Sequence, residues 1–205
     1  MIRIALSKGK LLDEAIALFA RAGISVPEEI RDSRKLQVTD ARSDRAFMVV
    51  RAQDAATYVA QGAADIGIVG RDVLMEQEED LYQMLDLGIG PCRLVLAAKD
   101  PTVLSKTSTL RIATKYPNLT RSYFLSKGRA CSVIKLYGSV ELAPLVNLAD
   151  AIVDLVSTGE TLRQNGLVVL EEILKSTAVL VVNRVSLKMN AAKVDEILSA
   201  LKKVL

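Results

Sequence analysis

The sequence predicts an α/β fold in two lobes, and two observations support this prediction. Short apolar runs typical of strands alternate with segments of helical spacing; the run at 2–6, for example, precedes an amphipathic stretch over 11–22. The Gly-Ile-Gly-Pro segment at 88–91 then divides the chain into halves of similar composition. We expect a cleft between the lobes, because small ligands often bind between domains.

Each element follows from local signals taken in chain order. Apolar, β-prone runs between turn residues predict the strands, and apolar periodicity with glycine or proline boundaries, as at Gly23, Pro117 and Gly128, predicts the helices. The predicted strands cover residues 2–6, 36–38, 47–50, 64–69, 93–98, 110–114, 131–136, 151–153, 167–174 and 177–182. The predicted helical segments cover residues 11–22, 53–61, 73–76, 117–127, 161–165 and 190–205, and a short segment at 141–145 is left without a type.

Composition excludes several classes of function. The 205 residues are 50% hydrophobic and 25% charged, so the chain can bury a core. The net charge of +3 and the lack of a basic, aromatic-rich block argue against nucleic acid. No apolar run approaches the roughly 20 residues of a membrane span, and the early charges argue against a signal peptide. Cys92 and Cys131 form no metal or disulfide motif, so we expect a cytoplasmic protein.

The chain contains no histidine. Histidine-based catalytic triads, histidine acid–base catalysis and the usual zinc sites are therefore excluded. Any chemistry has to use carboxylates, lysine, arginine, hydroxyl groups, the backbone and Mg²⁺.

The segment around Asp154 carries the strongest local signal. The apolar residues 151–153 predict a strand that ends at this carboxylate, and the turn Ser157-Thr158-Gly159-Glu160-Thr161 leads into a helix. A turn of this kind directs backbone N–H groups and hydroxyl donors at an anion such as a phosphate. An ordinary strand-to-helix turn with Ser and Thr caps is the alternative. Glu160 argues against phosphate unless its carboxylate faces water.

Two further strand ends carry charged residues. Lys8 and Lys10 flank Gly9 between the first strand and the first helix, where they would bind an anion or remain solvated loop charges. Arg71 and Asp72 follow the strand at 64–69, at the end of a sheet where ligands usually bind in α/β folds.

Several stretches together resemble one family, the short form of ATP phosphoribosyltransferase. The matching segments are LSKGKLLDEA from residue 6, SRKL at 33–36, ADIGIVGRDVL at 64–74, GPCRLVLA at 90–97, RIATKYPNLTRSYF at 111–124, KLYGSVELAPLVNLADAIVDLVSTGETLRQNGL at 135–167 and LVVNRVS at 180–186. They cover most of the chain in the family's order. The resemblance implies a two-lobed, type II periplasmic-binding-protein-like fold with a central cleft and no C-terminal regulatory domain. Residues 1–90 plus 181–205 would form lobe I, and residues 91–180 lobe II.

The resemblance also implies an activity. The family transfers the 5-phosphoribosyl group of phosphoribosyl pyrophosphate to N1 of ATP, releasing pyrophosphate, in the first step of histidine biosynthesis. The turn 157–161 (Ser157, Thr158, Gly159, Glu160, Thr161) is expected to hold the 5′-phosphate and Asp154 the ribose hydroxyls, with Glu141 assisting at the ribose or the metal. Lys8, Lys10 and Arg34 are the expected catalytic cations. Lys10, Arg51, Asp72 and Cys92 are expected at the ATP site, although Cys92 could simply pack.

The expected cofactor is Mg²⁺, held mainly by the substrate phosphates, with no side chain assigned as its ligand. The resemblance implies a dimer and a hetero-octamer with a regulatory subunit related to histidyl-tRNA synthetase.

Two other functions remain open from the residues alone. One is a nucleobase-salvage phosphoribosyltransferase, although Val153 stands where that class has an acid. The other is a non-catalytic binding module on a solute-binding fold.

Overall fold

The computed structural model describes residues 1–32, 35–40, 42–106 and 108–205, and only the backbone of Asp32. The described chain divides into two compact units, the first comprising Met1–Gly90 with Thr177–Leu205 and the second Pro91–Ser176. The predicted return at residue 181 falls inside a strand, Ala178–Val182, and the division places the return before that strand. Within the described ranges, no helix is both long and apolar enough to span a bilayer.

The first unit is built on a mixed sheet. Its elements are β1 (Ile2–Ser7), α1 (Lys10–Arg21), α2 (Glu29–Asp32), β2 (Gln37–Asp40), β3 (Arg45–Val50), α3 (Ala55–Ala60), β4 (Ile66–Gly70), α4 (Arg71–Gln77), β5 (Tyr82–Asp86), β11 (Ala178–Val182), α9 (Arg184–Met189) and α10 (Ala191–Lys202). In the described residues the strand order is β2-β3-β1-β4-β11-β5. β1 lies parallel to β3 and β4, whereas the returning β11 runs antiparallel to β4.

The central strands of this sheet are apolar because both of their faces are covered. On one face α1 and α10 pack over β1 and β4 around Phe19, Phe47 and Leu201, which are all buried. On the other face α3 and α4 pack around Val59 and Val73. A strand buried on both faces loses the polar alternation of a surface strand, which explains the continuous apolar runs seen in the sequence.

The second unit contains the other sheet. Its elements are β6 (Cys92–Ala98), α5 (Val103–Lys106), β7 (Thr109–Thr114), α6 (Pro117–Ser126), β8 (Ala130–Lys135), α7 (Leu142–Leu145), β9 (Ala151–Val156), α8 (Glu160–Gln164) and β10 (Val168–Ser176). The order is β10-β6-β9-β7-β8 in the part of the chain described here. β7 runs parallel to β8 and β9, and β6 runs antiparallel to β9. The carboxyl ends of β7 and β9 therefore lie at the same edge of the sheet.

Several local predictions differ from the structure, and the elements that were not predicted include α2, β5 and α5. β9 continues to Val156, so Asp154 lies inside the strand rather than at its end. Arg71 and Asp72 form the first turn of α4 instead of preceding it. Helix α9 was not predicted, although Asn183 caps it by accepting hydrogen bonds from the N–H groups of Val185 and Ser186.

Candidate functional site

The expected phosphoribosyl site lies entirely within the second unit. β9 carries Asp154, the chain turns at 157–159, and α8 begins at Glu160. A pocket of about 240 Å³ opens at this turn. Its lining residues are Glu141, Asp154, Leu155, Val156, Ser157, Thr158, Gly159, Glu160, Thr161 and Leu162. The structure thus brings together every residue that was expected to bind the donor sugar.

The turn itself has the geometry of an anion cradle. Gly159 adopts φ +83°, a left-handed conformation that a side chain disfavours, and it stands at the N-cap of α8. The Thr158 hydroxyl accepts a long hydrogen bond of 3.4 Å from the Glu160 N–H group. Leu162 is buried and attaches the helix to the core of the unit. The backbone N–H groups at the start of α8 are therefore held in place next to the pocket.

Glu160 lies on the exposed side of this helix start, where its charge is compensated. Its carboxylate accepts hydrogen bonds from Arg163 at 3.0 and 2.6 Å and from Gln164 at 2.8 Å. These partners, Arg163 first, lower the pKa of Glu160 below its usual value. Glu160 therefore repels a phosphate less strongly than an unpaired acid would, because the Arg163 guanidinium lies against its carboxylate.

Asp154 is the buried acid of the pocket, with 7% of its surface exposed. Its carboxylate accepts a hydrogen bond of 2.9 Å from the N–H group of Leu155. Burial raises the pKa of Asp154, and the charge of nearby Glu141 raises it further, whereas the Lys115 ammonium and the Leu155 N–H group lower it. A buried carboxylate facing a polar pocket is a suitable acceptor for sugar hydroxyls.

Two charged residues near the pocket, Lys115 and Arg163, were given no role by the sequence analysis. Lys115 directly follows β7, and the predicted strand at 110–114 already placed it at a strand's carboxyl end. Arg163 stands three positions after Glu160 on a predicted helix, which is the spacing of a side-chain pair. Both positions could be recognised in the sequence, but the acid beside each residue became evident only from the arrangement of the neighbouring strand or helix.

A second pocket, of about 420 Å³, lies in the first unit. Lys8 and Arg51 contribute positive charge to it, and Met48 and Val50 contribute apolar surface. The Lys8 N–H group donates a hydrogen bond of 2.8 Å to the carbonyl oxygen of Val50, which brings the loop after β1 next to the end of β3. Two expected cations that are far apart in sequence therefore share one pocket.

The remaining candidates lie elsewhere. Lys10 is the first residue of α1, and its ammonium stands 3.6 Å from the Glu14 carboxylate. Asp72 is buried, with 4% of its surface exposed. Cys92 lies in the second unit, where its Sγ donates to the carbonyl oxygen of Ser176 at 3.8 Å. Arg34 falls outside the described residues.

The chain matches known proteins over its full length. The sequence profile described as ATP phosphoribosyltransferase matches residues 51–203. The ATP phosphoribosyltransferase of Geobacter metallireducens is 51% identical, over 98% of this chain and 97% of that protein. That of Caldanaerobacter subterraneus subsp. tengcongensis is 47% identical, over 100% of this chain and 98% of that protein.

Solved structures agree with the sequence matches. The ATP phosphoribosyl transferase (HisG:HisZ) complex from Thermotoga maritima contains a chain with TM-score 0.85 and 36% identity, covering 100% of this chain and 98% of that one. A structure described as Tv2483 bound to L-arginine reaches TM-score 0.61 at 14% identity, which is a likeness of fold alone, over 98% of this chain and 84% of that one. The predicted periplasmic-binding-protein-like α/β fold is confirmed.

These matches also confirm the family resemblance inferred from the sequence, and they favour neither a salvage enzyme nor a binding module. The chain therefore belongs to the ATP phosphoribosyltransferase family, whose enzymes transfer the 5-phosphoribosyl group of phosphoribosyl pyrophosphate to N1 of ATP in the first step of histidine biosynthesis.

Proposed function

We propose that the pocket at the β9–α8 turn binds phosphoribosyl pyrophosphate in this chain. The 5′-phosphate would lie against the backbone N–H groups and hydroxyls of the turn Ser157–Thr161, and Asp154 would accept hydrogen bonds from the ribose hydroxyls. One observation carries this proposal. A single pocket places the buried carboxylate of Asp154 and the half-buried carboxylate of Glu141 beside a glycine-containing turn that begins a helix.

The reaction requires little acid–base chemistry from the protein. N1 of adenine has a free lone pair and can attack C1 of the ribose without a general base. The main barrier is departure of the highly charged pyrophosphate while the ribose gains positive character. Carboxylates such as Asp154 and Glu141 beside the ribose stabilise that positive charge, and cations stabilise the leaving group. A chain without histidine can therefore catalyse the transfer.

We propose the pocket of the first unit for the nucleotide. Lys8 and Arg51 supply positive charge for the phosphates, and Met48 and Val50 offer apolar surface for a base. Tyr58 lines the same pocket and is 43% exposed, so its ring is accessible for stacking. Lys10 and Arg34 remain proposed cations for the triphosphate or the leaving pyrophosphate, and Asp72 and Cys92 remain proposed ATP contacts.

Mg²⁺ is proposed as the cofactor, carried by the substrate phosphates rather than by protein side chains. In the described part of the chain, no group of three or more acidic or cysteine residues is placed to hold a metal ion by itself. Phosphate oxygens with water suit a small, hard cation that keeps much of its hydration shell. When bound, the ion would offset negative charge on the departing pyrophosphate.

We further propose a regulatory partner for this chain. The Thermotoga maritima structure is a HisG:HisZ complex, and its matching chain covers all of this one. A partner of the HisZ type, related to histidyl-tRNA synthetase, would assemble with dimers of this chain into a hetero-octamer. Sedimentation of the purified chain with and without such a subunit would test this assembly.

A direct assay tests the proposed catalytic role. Purified protein is given ATP, phosphoribosyl pyrophosphate and Mg²⁺, and pyrophosphate release is followed together with formation of the N1-substituted nucleotide. We expect release only when both substrates are present, and none when adenine, guanine or orotate replaces ATP. Binding of both substrates without pyrophosphate release would contradict the assignment.

A further inference from the structure

Lys115 lies beside the acidic pair of the donor pocket, and no role has been assigned to it. The strands β7 and β9 are parallel, with Thr114 opposite Val153. Lys115 and Asp154 are the next residues along the two strands, so this register places them as neighbours at the same edge of the sheet. Lys115 is half-buried, which limits the positions that its ammonium can adopt.

The surroundings of Asp154 make a nearby cation important. Burial and the charge of Glu141 both disfavour the ionised form of Asp154, whereas the positive charge of the Lys115 ammonium favours it. Glu141 is half-buried at the N-cap of α7, where its side chain makes no capping hydrogen bond. Two acids that share a small pocket repel each other unless a positive charge compensates them.

Other charged groups near this end of the sheet have partners of their own. Glu160 lines the same pocket, but Arg163 and Gln164 bind its carboxylate. Lys135, at the end of the next strand β8, lies over the ring of Tyr137 with 5.4 Å to the ring centroid. On the opposite side of β9, β6 presents the apolar Val95 in register with Asp154.

We propose that Lys115 is a positioning residue for the phosphoribosyl donor: its ammonium compensates the charge of the Asp154–Glu141 pair and so keeps Asp154 as an ionised acceptor for the ribose hydroxyls. This inference rests on the proposed donor site. Lys115 acts through Asp154, and within the described residues it forms no ion pair with either acid. The charge therefore acts on Asp154 through space rather than through a closed salt bridge.

A double-mutant cycle tests this role. Calorimetric titration with phosphoribosyl pyrophosphate is compared for the wild type, Lys115→Met, Asp154→Asn and the double variant. We expect Lys115→Met to raise the Kd about tenfold, which is the size of coupling expected between charges in one network. In the Asp154→Asn background the same change should have almost no effect. Lys115→Arg should keep the affinity of the wild type, and Lys135→Met is the control for loss of a lysine at a neighbouring strand end.

The pH dependence supplies a second measurement. Loss of the ammonium raises the pKa of Asp154, so donor binding should be lost at a higher pH in Lys115→Met than in the wild type. An equal loss of affinity in both backgrounds would overturn the proposal, because Lys115 would then contact the substrate directly. An unchanged Kd for Lys115→Met would overturn it as well. Failure of the donor site itself would appear differently, as an unchanged Kd for Asp154→Asn alone.

Discussion

The Arg163 guanidinium holds the Glu160 carboxylate with two hydrogen bonds, from Nε at 3.0 Å and from Nη2 at 2.6 Å, at the first turn of α8. This pair explains how an acid can stand next to a proposed phosphate site. The negative charge at a helix start is favourable for the helix, and the guanidinium limits its effect on an incoming anion. The compensation comes from the same short helix that carries the acid.

Arg163→Met should expose the charge of Glu160 to the phosphoribosyl donor. We expect the KM for phosphoribosyl pyrophosphate to rise about two- to fivefold, which is the size of effect typical of an exposed charge pair. The KM for ATP should change little. Steady-state kinetics at low and high salt would measure the effect, which should shrink as salt screens the charge.

The control for this prediction is Glu160→Gln in the same background. The double variant should regain the KM of the wild type, because no charge remains to be compensated. If it keeps the raised KM, Arg163 acts on the substrate directly instead of through Glu160.

Asp154→Asn should impair use of the donor while leaving ATP binding intact. The amide keeps the shape but loses the charge that accepts the ribose hydroxyls. We expect kcat/KM for phosphoribosyl pyrophosphate to fall by at least about 30-fold, equivalent to about 2 kcal/mol of transition-state stabilisation. A value near that of the wild type would remove Asp154 from the donor site.

The same substitution should stabilise the free protein at neutral pH. Because burial raises the pKa of Asp154, the folded protein binds more protons than the unfolded chain between the ordinary and the raised pKa. Unfolding free energy therefore falls as pH rises through that window, because the ionised carboxylate is costly to bury. We expect Asp154→Asn to raise the Tm at pH 7 by about 2–4 °C. Below the window the difference should disappear, and a lower Tm at pH 7 would contradict this account.

Gly159→Ala should damage the turn through its backbone. A Cβ atom at this position would meet only Val156 Cγ1, at an ordinary 3.7 Å, so the cost comes from the left-handed φ of +83°. We expect a loss of about 1 kcal/mol in unfolding free energy and weaker donor binding. Urea denaturation and calorimetry would measure both.

Gly138→Ala is the matched control, since its φ is not left-handed and a Cβ there would meet nothing within 4 Å. It should leave stability and binding unchanged. Equal losses of stability and donor binding in both variants would show that the left-handed conformation of Gly159 is not the cause of the effect.

Lys8→Met should weaken ATP binding more than donor binding. The ammonium lines the first-unit pocket with Arg51, whereas the proposed donor site lies wholly in the second unit. We expect the Kd for ATP to rise about tenfold, the size of a lost hydrogen bond to a charged group. Lys202→Met, an exposed lysine in the last turn of α10, is the control. A larger effect on phosphoribosyl pyrophosphate would reassign Lys8 to the leaving group.

Local sequence patterns predicted most of the strands and helices, but they did not predict which strands pair with each other. The apolar runs at 167–174 and 177–182 were both recognised as strands, yet they belong to different sheets, β10 beside β6 and β11 beside β4. Periodicity reports which residues are buried, whereas pairing depends on contacts between distant parts of the chain. Asp154 illustrates the same limit, because an acid normally ends an apolar run, whereas β9 stays paired with β6 beyond it, with Leu155 opposite Leu94 and Val156 opposite Arg93.

The sequence by itself determined the α/β class, the family and the composition of the donor turn, because all three follow from the order of residue types along the chain. Only the tertiary structure decided the electrostatic roles within the site. Lys115 and Arg163 can be given a role because the fold places each of them beside an acid. Lys8 and Arg51 can be given one because they line the same pocket. The physical reason is that charges interact through space, so their effect depends on distance and burial, which a one-dimensional sequence does not contain.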